Sequence, residues 1–350
     1  KLIMNRRKKI TFVYTLPTSF VIKDMKTLKS LGYKVFTISS TPFKNTILFL
    51  LNRIKEGVKG FFLIPRSSSV VIWFSDYHAI IPILIARAFS VKTIIMVGGY
   101  DAVSDSEINH GVFSKNNFRQ KIAKINFNLA TQIWVVDESL SKGCRNAFLQ
   151  NKINSGLVNW IPEIEKKIKV VPTSYSSEFW KCATLKLSKT VLTVANLTDS
   201  RVISLKGIPL ILKLAVQLPD FNFTIIGLSS EKIITQEKTP SNVVFLKPKN
   251  RINLKRYYSE SQYYIQASRL EGLPNSLCEA MLCECIPIGN AVFGIPRAIG
   301  NSGLLFNGIK EVGKIKTFLR KNHGKLGKEA RKHIMDNFNE KKRIKELRKI

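Results

Sequence analysis

The chain has 350 residues, 45% of them apolar and 10% aromatic, so it can bury the cores of two ordinary domains and is too apolar for a disordered polymer. It carries 56 Lys and Arg against 24 Asp and Glu, a net charge of +32 that favours polyanions, phosphorylated small molecules or an anionic surface as partners. Five cysteines without framework spacing argue against a disulfide-stapled scaffold, and Arg53, Arg87 and Lys92 interrupt the longest apolar runs short of a membrane span.

The opening NRRKK and ITFVYTLPTSFVI have the basic and apolar parts of a secretory signal. Pro17, Thr18 and Ser19 interrupt the run, however, and no small-residue cleavage site follows, so it is read as a first buried strand over 10–16. Further β-branched and aromatic runs predict strands over 33–39, 70–74, 92–99 and 131–137, most followed by a helical period, and a strand with an irregular turn over 167–180. The pattern restarts with strands over 189–196, 221–227, 242–248, 263–268 and 285–290, and from about 308 only helix is expected. Such alternation is the signature of parallel α/β layers. The expected architecture is two doubly wound, Rossmann-like domains, residues 1–180 and 181–325, facing across a cleft, followed by C-terminal helices over 326–350.

In an open parallel sheet, ligands sit beyond the carboxyl ends of the strands. One strand end is followed by SRLEGLPNSLCEAMLCECIPIGN, residues 268–290. Arg269 to Leu273 read as a loop and Pro274 as the first helical residue, a position where its missing N–H costs nothing. The free N–H groups of Asn275, Ser276 and Leu277 then suit an anion. Glu271 in the loop and Glu279 in the helix border the same helix start, and a carboxylate that accepts two hydroxyls suits a diol. Two glutamates alone would read equally as a helix cap and a surface ion pair; the loop glycine, the proline and the strand-end position favour a ligand. Cys278, Cys283 and Cys285 have no C-x2-C pair and no nearby histidine, and they fall in core patterns, which disfavours a metal clip.

This block, continuing through Gly294-Ile295-Pro296 and Gly303-Leu304-Leu305-Phe306, resembles the donor site of retaining GT-B glycosyltransferases of family 4, with Glu271 and Glu279 as the E-x7-E hallmark. LTVANLTDSRVISLKGIPLILKLAVQLPDFNFTIIG is similar to the family's strand, Lys-Gly helix start and following strand, and VVPTSYSSEFW at 170–180 to its interdomain segment. The resemblance implies an α/β GT-B enzyme with an acceptor-binding first domain, a nucleotide-sugar-binding second, and C-terminal helices over 326–350 that pack back toward the first. In it, Glu279 holds the ribose hydroxyls, Glu271 touches the transferred sugar, Lys206 neutralises the leaving diphosphate, and backbone amides of Gly272, Leu273, Asn275, Ser276 and Leu277 line the donor. It further implies metal-independent transfer with no cofactor beyond the donor, a glycan or lipid-linked acceptor in surface polysaccharide or glycolipid assembly, and a cytoplasmic enzyme, which the basic excess can hold on the inner face of an anionic membrane.

Two places depart from the family pattern. Asn196 stands where an arginine is usual, and Arg201 is the candidate substitute. Gly98-Gly99-Tyr100-Asp101 stands where HGxD is usual, leaving Asp101 as a candidate catalytic group and His78 or His110 as candidates for the missing imidazole. The alternatives are a non-catalytic nucleotide-sugar-binding relative and, on charge alone, a nucleic-acid-binding protein. No aromatic-basic RNA motif, zinc finger or helix-turn-helix signature supports the latter, and no nucleic-acid partner is expected.

Overall fold

The computed structural model describes residues 8–41, 45–146, 153–230, 233 and 239–350, so residues 5–7 of the NRRKK tract lie outside the described part. The chain divides into two compact units: Lys1–Gly143, Ser155–Thr173 and Lys341–Ile350 form the first, and Cys144–Asn154 with Ser174–Glu340 the second.

The first unit contains β1 (Lys9–Tyr14), β2 (Lys34–Ser39), β3 (Ser69–Trp73), β4 (Lys92–Val97) and β5 (Gln132–Val135). The short antiparallel pair β6 (Cys144–Arg145) and β7 (Ile153–Asn154) belongs to the second unit, and β8 (Ile168–Val170) returns to the first. Helices α1 (Ser19–Ser30), α2 (Thr46–Leu63), α3 (Tyr77–Ala88) and α4 (Phe118–Leu129), with the single turns α5 (Ser139–Lys142) and α6 (Leu157–Trp160), flank the sheet. Its order is β2-β1-β3-β4-β5-β8, every neighbouring pair parallel. All five residues of β3 are buried, as expected of a parallel strand covered on both faces.

The second unit contains β9 (Leu187–Leu197), β10 (Asn222–Leu228), β11 (Val243–Leu246), β12 (Ser261–Gln266), β13 (Ile286–Asn290) and β14 (Leu304–Phe306), parallel in the order β11-β10-β9-β12-β13-β14. Its helices are α7 (Ser200–Leu205), α8 (Ile208–Val216), α9 (Arg251–Glu260), α10 (Asn275–Leu282), α11 (Ile295–Ile299), α12 (Val312–Leu319) and α13 (Leu326–Asn337). Strand order reverses between β1 and β3 in the first sheet and between β9 and β12 in the second, so each unit has a topological switch point.

The α/β class with two parallel sheets is the one expected, and each expected strand is present within a few residues. The sequence reading does not anticipate β6, β7 or β14, all of two or three residues. Cys278, Cys283 and Cys285 are fully buried, and burial pushes the Cys283 thiol up to about 12, so they pack as apolar side chains. The C-terminal helices divide: α13 stays in the second unit, and residues 341–350, most of α14 (Glu340–Leu347), join the first.

One buried side chain is prominent in that attachment. Arg343 on α14 donates from Nη2 to Asp24 Oδ2 at 2.6 Å and from Nε to Oδ1 at 3.1 Å, and from Nη1 to the Val171 carbonyl at 2.8 Å. Trp73 Nε1 donates to the same Asp24 at 3.2 Å. Both charged side chains are nearly inaccessible, and removing one partner of a buried pair strands the other. Arg343→Met should therefore lower unfolding stability of the first unit by about 3–5 kcal/mol in urea titration; an unchanged midpoint would show that Asp24 needs no cation.

Candidate functional site

In the second unit the switch point lies between the ends of β9 and β12. After β9, Asp199 caps α7 by accepting from Val202 N–H at 2.9 Å, and the helix stops at Lys206. Gly207 follows in the left-handed region, φ +68°, and a Cβ there would stand 2.0 Å from the Ala267 carbonyl oxygen. Only glycine permits this approach to the residue just past β12. Arg269 N–H donates to the Leu205 carbonyl at 2.9 Å and closes the two segments together.

Lys206 is thereby brought to Glu271, its Nζ 2.9 Å from Oε1 and 3.1 Å from Oε2, with about a fifth of each side chain exposed (22% and 18%). Gln266 Nε2 donates to Glu271 Oε1 at 3.3 Å and to Ser268 Oγ at 2.8 Å, while Tyr264 OH donates to Gln266 Oε1 at 3.3 Å. The loop bearing Glu271 is pinned at Gly272, whose carbonyl accepts from Gly294 N–H at 3.0 Å; a Cβ on Gly294 would lie 2.1 Å from that oxygen. The glycine of the expected Gly-Ile-Pro turn is thus sterically required.

Helix α10 starts at Asn275, one residue later than the sequence suggests, and Pro274 occupies the N-cap with no side-chain cap. Proline's fixed φ explains both readings, since it suits either side of that boundary. The first-turn N–H groups of Asn275, Ser276 and Leu277 therefore lack a capping side chain, and Tyr175 OH donates to Asn275 Oδ1 at 2.9 Å. Leu277 and Leu273 are buried, so any part they take is through the backbone. Glu279 is half-buried in the second turn; after the larger effect of burial, its charge adds to the rise in pKa of the Tyr258 and Tyr264 phenols. Arg201 sits on the exposed first turn of α7 rather than in a loop, with Asp199 Oδ1 3.8 Å from its Nε.

Within the first unit, a cleft of about 680 Å³ opens at the carboxyl ends of β1 to β4. Phe49, Tyr77, Tyr100 and Phe118 line it together with Arg53 and Arg119. Arg119 Nε donates to Asp76 Oδ1 at 2.8 Å and its Nη1 to Tyr100 OH at 2.9 Å, and Asp76 holds its guanidinium pKa above the ordinary value. Arg53, 9% exposed, pairs with Glu56 at 2.8 Å; burial pushes the arginine down and the glutamate up against their mutual attraction. Among the described residues Arg53 Nε has no hydrogen-bond partner, an uncommon state for a buried donor. Sequence reasoning missed this cleft because its residues come from four strand ends and the faces of three helices, with no motif joining them.

Asp101 is fully enclosed, accepting from Ser75 N–H at 3.1 Å and Gly99 N–H at 3.3 Å, and burial raises its pKa to about 7. His78 is buried with Nε2 3.0 Å from the Trp73 carbonyl, and burial lowers its pKa to about 4. His110 sets its ring edge-on to Tyr100, 5.1 Å between centroids. At Gly98 a Cβ would lie 2.7 Å from the Phe74 ring, so that ring fills the space where a histidine side chain would begin.

A parallel sheet with a lysine, a loop carboxylate and an uncapped helix start at its switch point is suited to a phosphorylated ligand. Residues 188–346 match the family model of glycosyl transferases group 1. The matched segment holds Lys206, Glu271, Glu279 and the whole of α10. No curated protein matches the sequence. Among solved structures, the fold is similar to sucrose-phosphate synthase of Thermosynechococcus elongatus, with a TM-score of 0.68 at 13% identity over 98% of both chains. It is also similar to a glycosyltransferase of Rickettsia africae, at 0.69 and 15% identity over 97% of both chains. Anabaena HepE, solved with UDP and glucose, gives 0.69 at 13% identity over 98% of this chain and 99% of that one. These likenesses establish the two-unit GT-B fold.

The enclosed Asp101 makes a pH prediction. With a folded pKa of about 7 against an ordinary 3.8, it holds an extra proton in the folded state, so its stabilising contribution is full below pH 3.8 and is lost as pH rises through 7. His78, lowered from 6.5 to about 4, has the opposite slope between those values. Relative to the parent, Asp101→Asn should gain about 4 kcal/mol of stability between pH 4 and pH 7, at about 1.4 kcal/mol per unit. Urea unfolding at a series of pH values measures this; a flat difference would mean that Asp101 titrates as an ordinary carboxylate.

Proposed function

We propose that this protein is a retaining glycosyltransferase that moves a sugar from a nucleoside-diphosphate sugar to an acceptor hydroxyl, in the assembly of a surface polysaccharide or glycolipid. The observation that carries the reading is the Lys206–Glu271 pair at the β9/β12 switch point, beside the start of α10 and inside the matched segment.

The donor diphosphate lies over the first turn of α10, neutralised by the N–H groups of Asn275, Ser276 and Leu277 and by the Lys206 ammonium. As the diphosphate draws Lys206 away, Glu271 turns an oxygen to the hydroxyls of the transferred sugar, and Glu279 takes the ribose diol. The bond from the sugar's anomeric carbon to the diphosphate breaks while the acceptor oxygen bonds that carbon from the same face. The acceptor proton passes to a diphosphate oxygen, which leaves Glu271 as a positioning group for the sugar rather than a base. Lys206 and the helix start supply the positive potential at the leaving group, so turnover needs no added metal and no cofactor.

The acceptor occupies the first-unit cleft, where Arg53 and Arg119 suit an anionic group and the aromatic rings suit a sugar face or an apolar chain. The net charge of +32 supports a peripheral place on the inner, anionic face of a membrane. The presence of UDP-glucose in one HepE structure makes UDP sugars the first donors to try. The Phe74 ring at Gly98 favours a second reading, a nucleotide-sugar-binding relative without activity.

Transfer and donor hydrolysis separate the two. Glu271→Ala should lower kcat/KM for transfer by about 100-fold or more while UDP still raises Tm, whereas Lys206→Met should lose most of the UDP stabilisation. Proton NMR of the first product should show the donor's anomeric configuration; an inverted product rejects the retaining mechanism. A chelator should leave the rate unchanged, and a rate restored only by a divalent ion would reject the role given to Lys206.

A further inference from the structure

Helix α2 is unusual for a helix flanking a buried sheet. Ile47, Leu50, Leu51, Ile54, Val58 and Phe61 are each 55–68% exposed. At 3.6 residues per turn these six fall within about 100° of arc, so they make one stripe along a helix roughly 27 Å long. Phe62 continues the stripe at 56% exposed, and the Phe61 ring meets Phe89 at 5.8 Å, extending the apolar surface past the end of α3. The opposite face is the one that packs. Gly57 and Gly60 let α2 approach Ile81 and Ile85 of α3, and Glu56, the helix's single acidic residue, is turned inward to Arg53. The apolar stripe is therefore a surplus, since the helix is already seated without it.

Charge decides what covers the stripe. Lys55 and Lys59 are exposed along one border, and two further exposed arginines lie nearby in sequence, Arg66 after the end of α2 and Arg87 in the last turn of α3. Apolar side chains centred on a helix face with lysines at the edge describe a helix lying in a bilayer interface, the lysine stems running along the apolar zone and their ammonium groups reaching the phosphates. A second copy of the chain would instead set these cations against themselves on molecules of charge +32. The same helix carries Phe49 and Arg53, on its packed side, into the cleft, so the cleft lies across α2 from the stripe, about one helix diameter away.

We infer that α2 beds its Ile47–Phe61 stripe in the surface of an anionic bilayer and so holds the first-unit cleft about one helix diameter from the lipid headgroups. This deepens the peripheral-membrane part of the proposed function and rests on it. The full chain should sediment with vesicles of phosphatidylcholine containing about one third phosphatidylglycerol and less with phosphatidylcholine alone. Ile54→Glu with Phe61→Glu should weaken that binding about tenfold or more at physiological salt, with an unchanged unfolding midpoint because both side chains are exposed. Val58→Glu alone provides the test should the double variant fail to fold. Equal sedimentation of parent and variants would overturn the inference in favour of diffuse basic charge. A parent that forms dimers which the variants abolish, without binding vesicles, would overturn it in favour of a second copy. The rise in Tm with UDP, read on the same samples, keeps failure of lipid binding distinct from failure of donor binding.

Discussion

The geometry of the second-unit site depends on how closely the turn after α7 passes the end of β12. Gly207 can sit against Ala267 only because it has no side chain, and that contact fixes where Lys206 emerges. A residue with a Cβ would push the turn away from the sheet and carry the ammonium away from Glu271. Gly294 performs the same task on the other side of the loop, against the Gly272 carbonyl. The carboxylate is thus held by backbone contacts on both flanks and by Gln266 beneath it. A site built this way keeps its spacing without a ligand, which lowers the ordering cost on binding.

The two units use one sheet design for different chemistry. Each opens at the place where strand order reverses, yet the second offers a lysine, a carboxylate and a helix start, and the first offers aromatic rings with two arginines already partnered by acids. The enclosed Asp101 belongs to the frame of the first cleft, since its oxygens hold the turns after β3 and β4. Phe74, with φ +69°, lies on one of those turns, in a conformation that non-glycine residues seldom take. Its ring fills the volume beside Gly98, so the loss of a side chain at one position and the strain at another are two sides of one packing arrangement.

Most strands were legible because parallel strands buried on both faces form continuous β-branched runs, as SVVIW in β3 and KTIIMV in β4 do. β14 escaped because three residues cannot display a period, and β6 and β7 because two cannot. The loop and helix around Glu271 were legible since each residue there has a local reason: a proline at the helix boundary, glycines at close approaches, and a strand end before them. Arg53 and Arg119 were not, because nothing in the sequence distinguishes an arginine buried against Glu56 from one in water. The exposed face of α2 was hidden for the opposite reason: an apolar stripe reads as a core face, and only the fold shows that Gly57 and Gly60 mark the packed side.

The tie between Arg343 and Asp24 also sets an order of events in synthesis. The two residues are 319 positions apart, and Asp24 lies under the sheet beside Trp73. At roughly 5–20 residues per second, a ribosome needs about 15–60 s to reach the arginine after making the aspartate. Throughout that interval the first unit has a carboxylate in its interior with an indole N–H but no cation, and it can finish folding only after the second unit's sequence has passed through the ribosome. The first unit therefore closes on a segment, residues 341–350, that is made after the whole of the second.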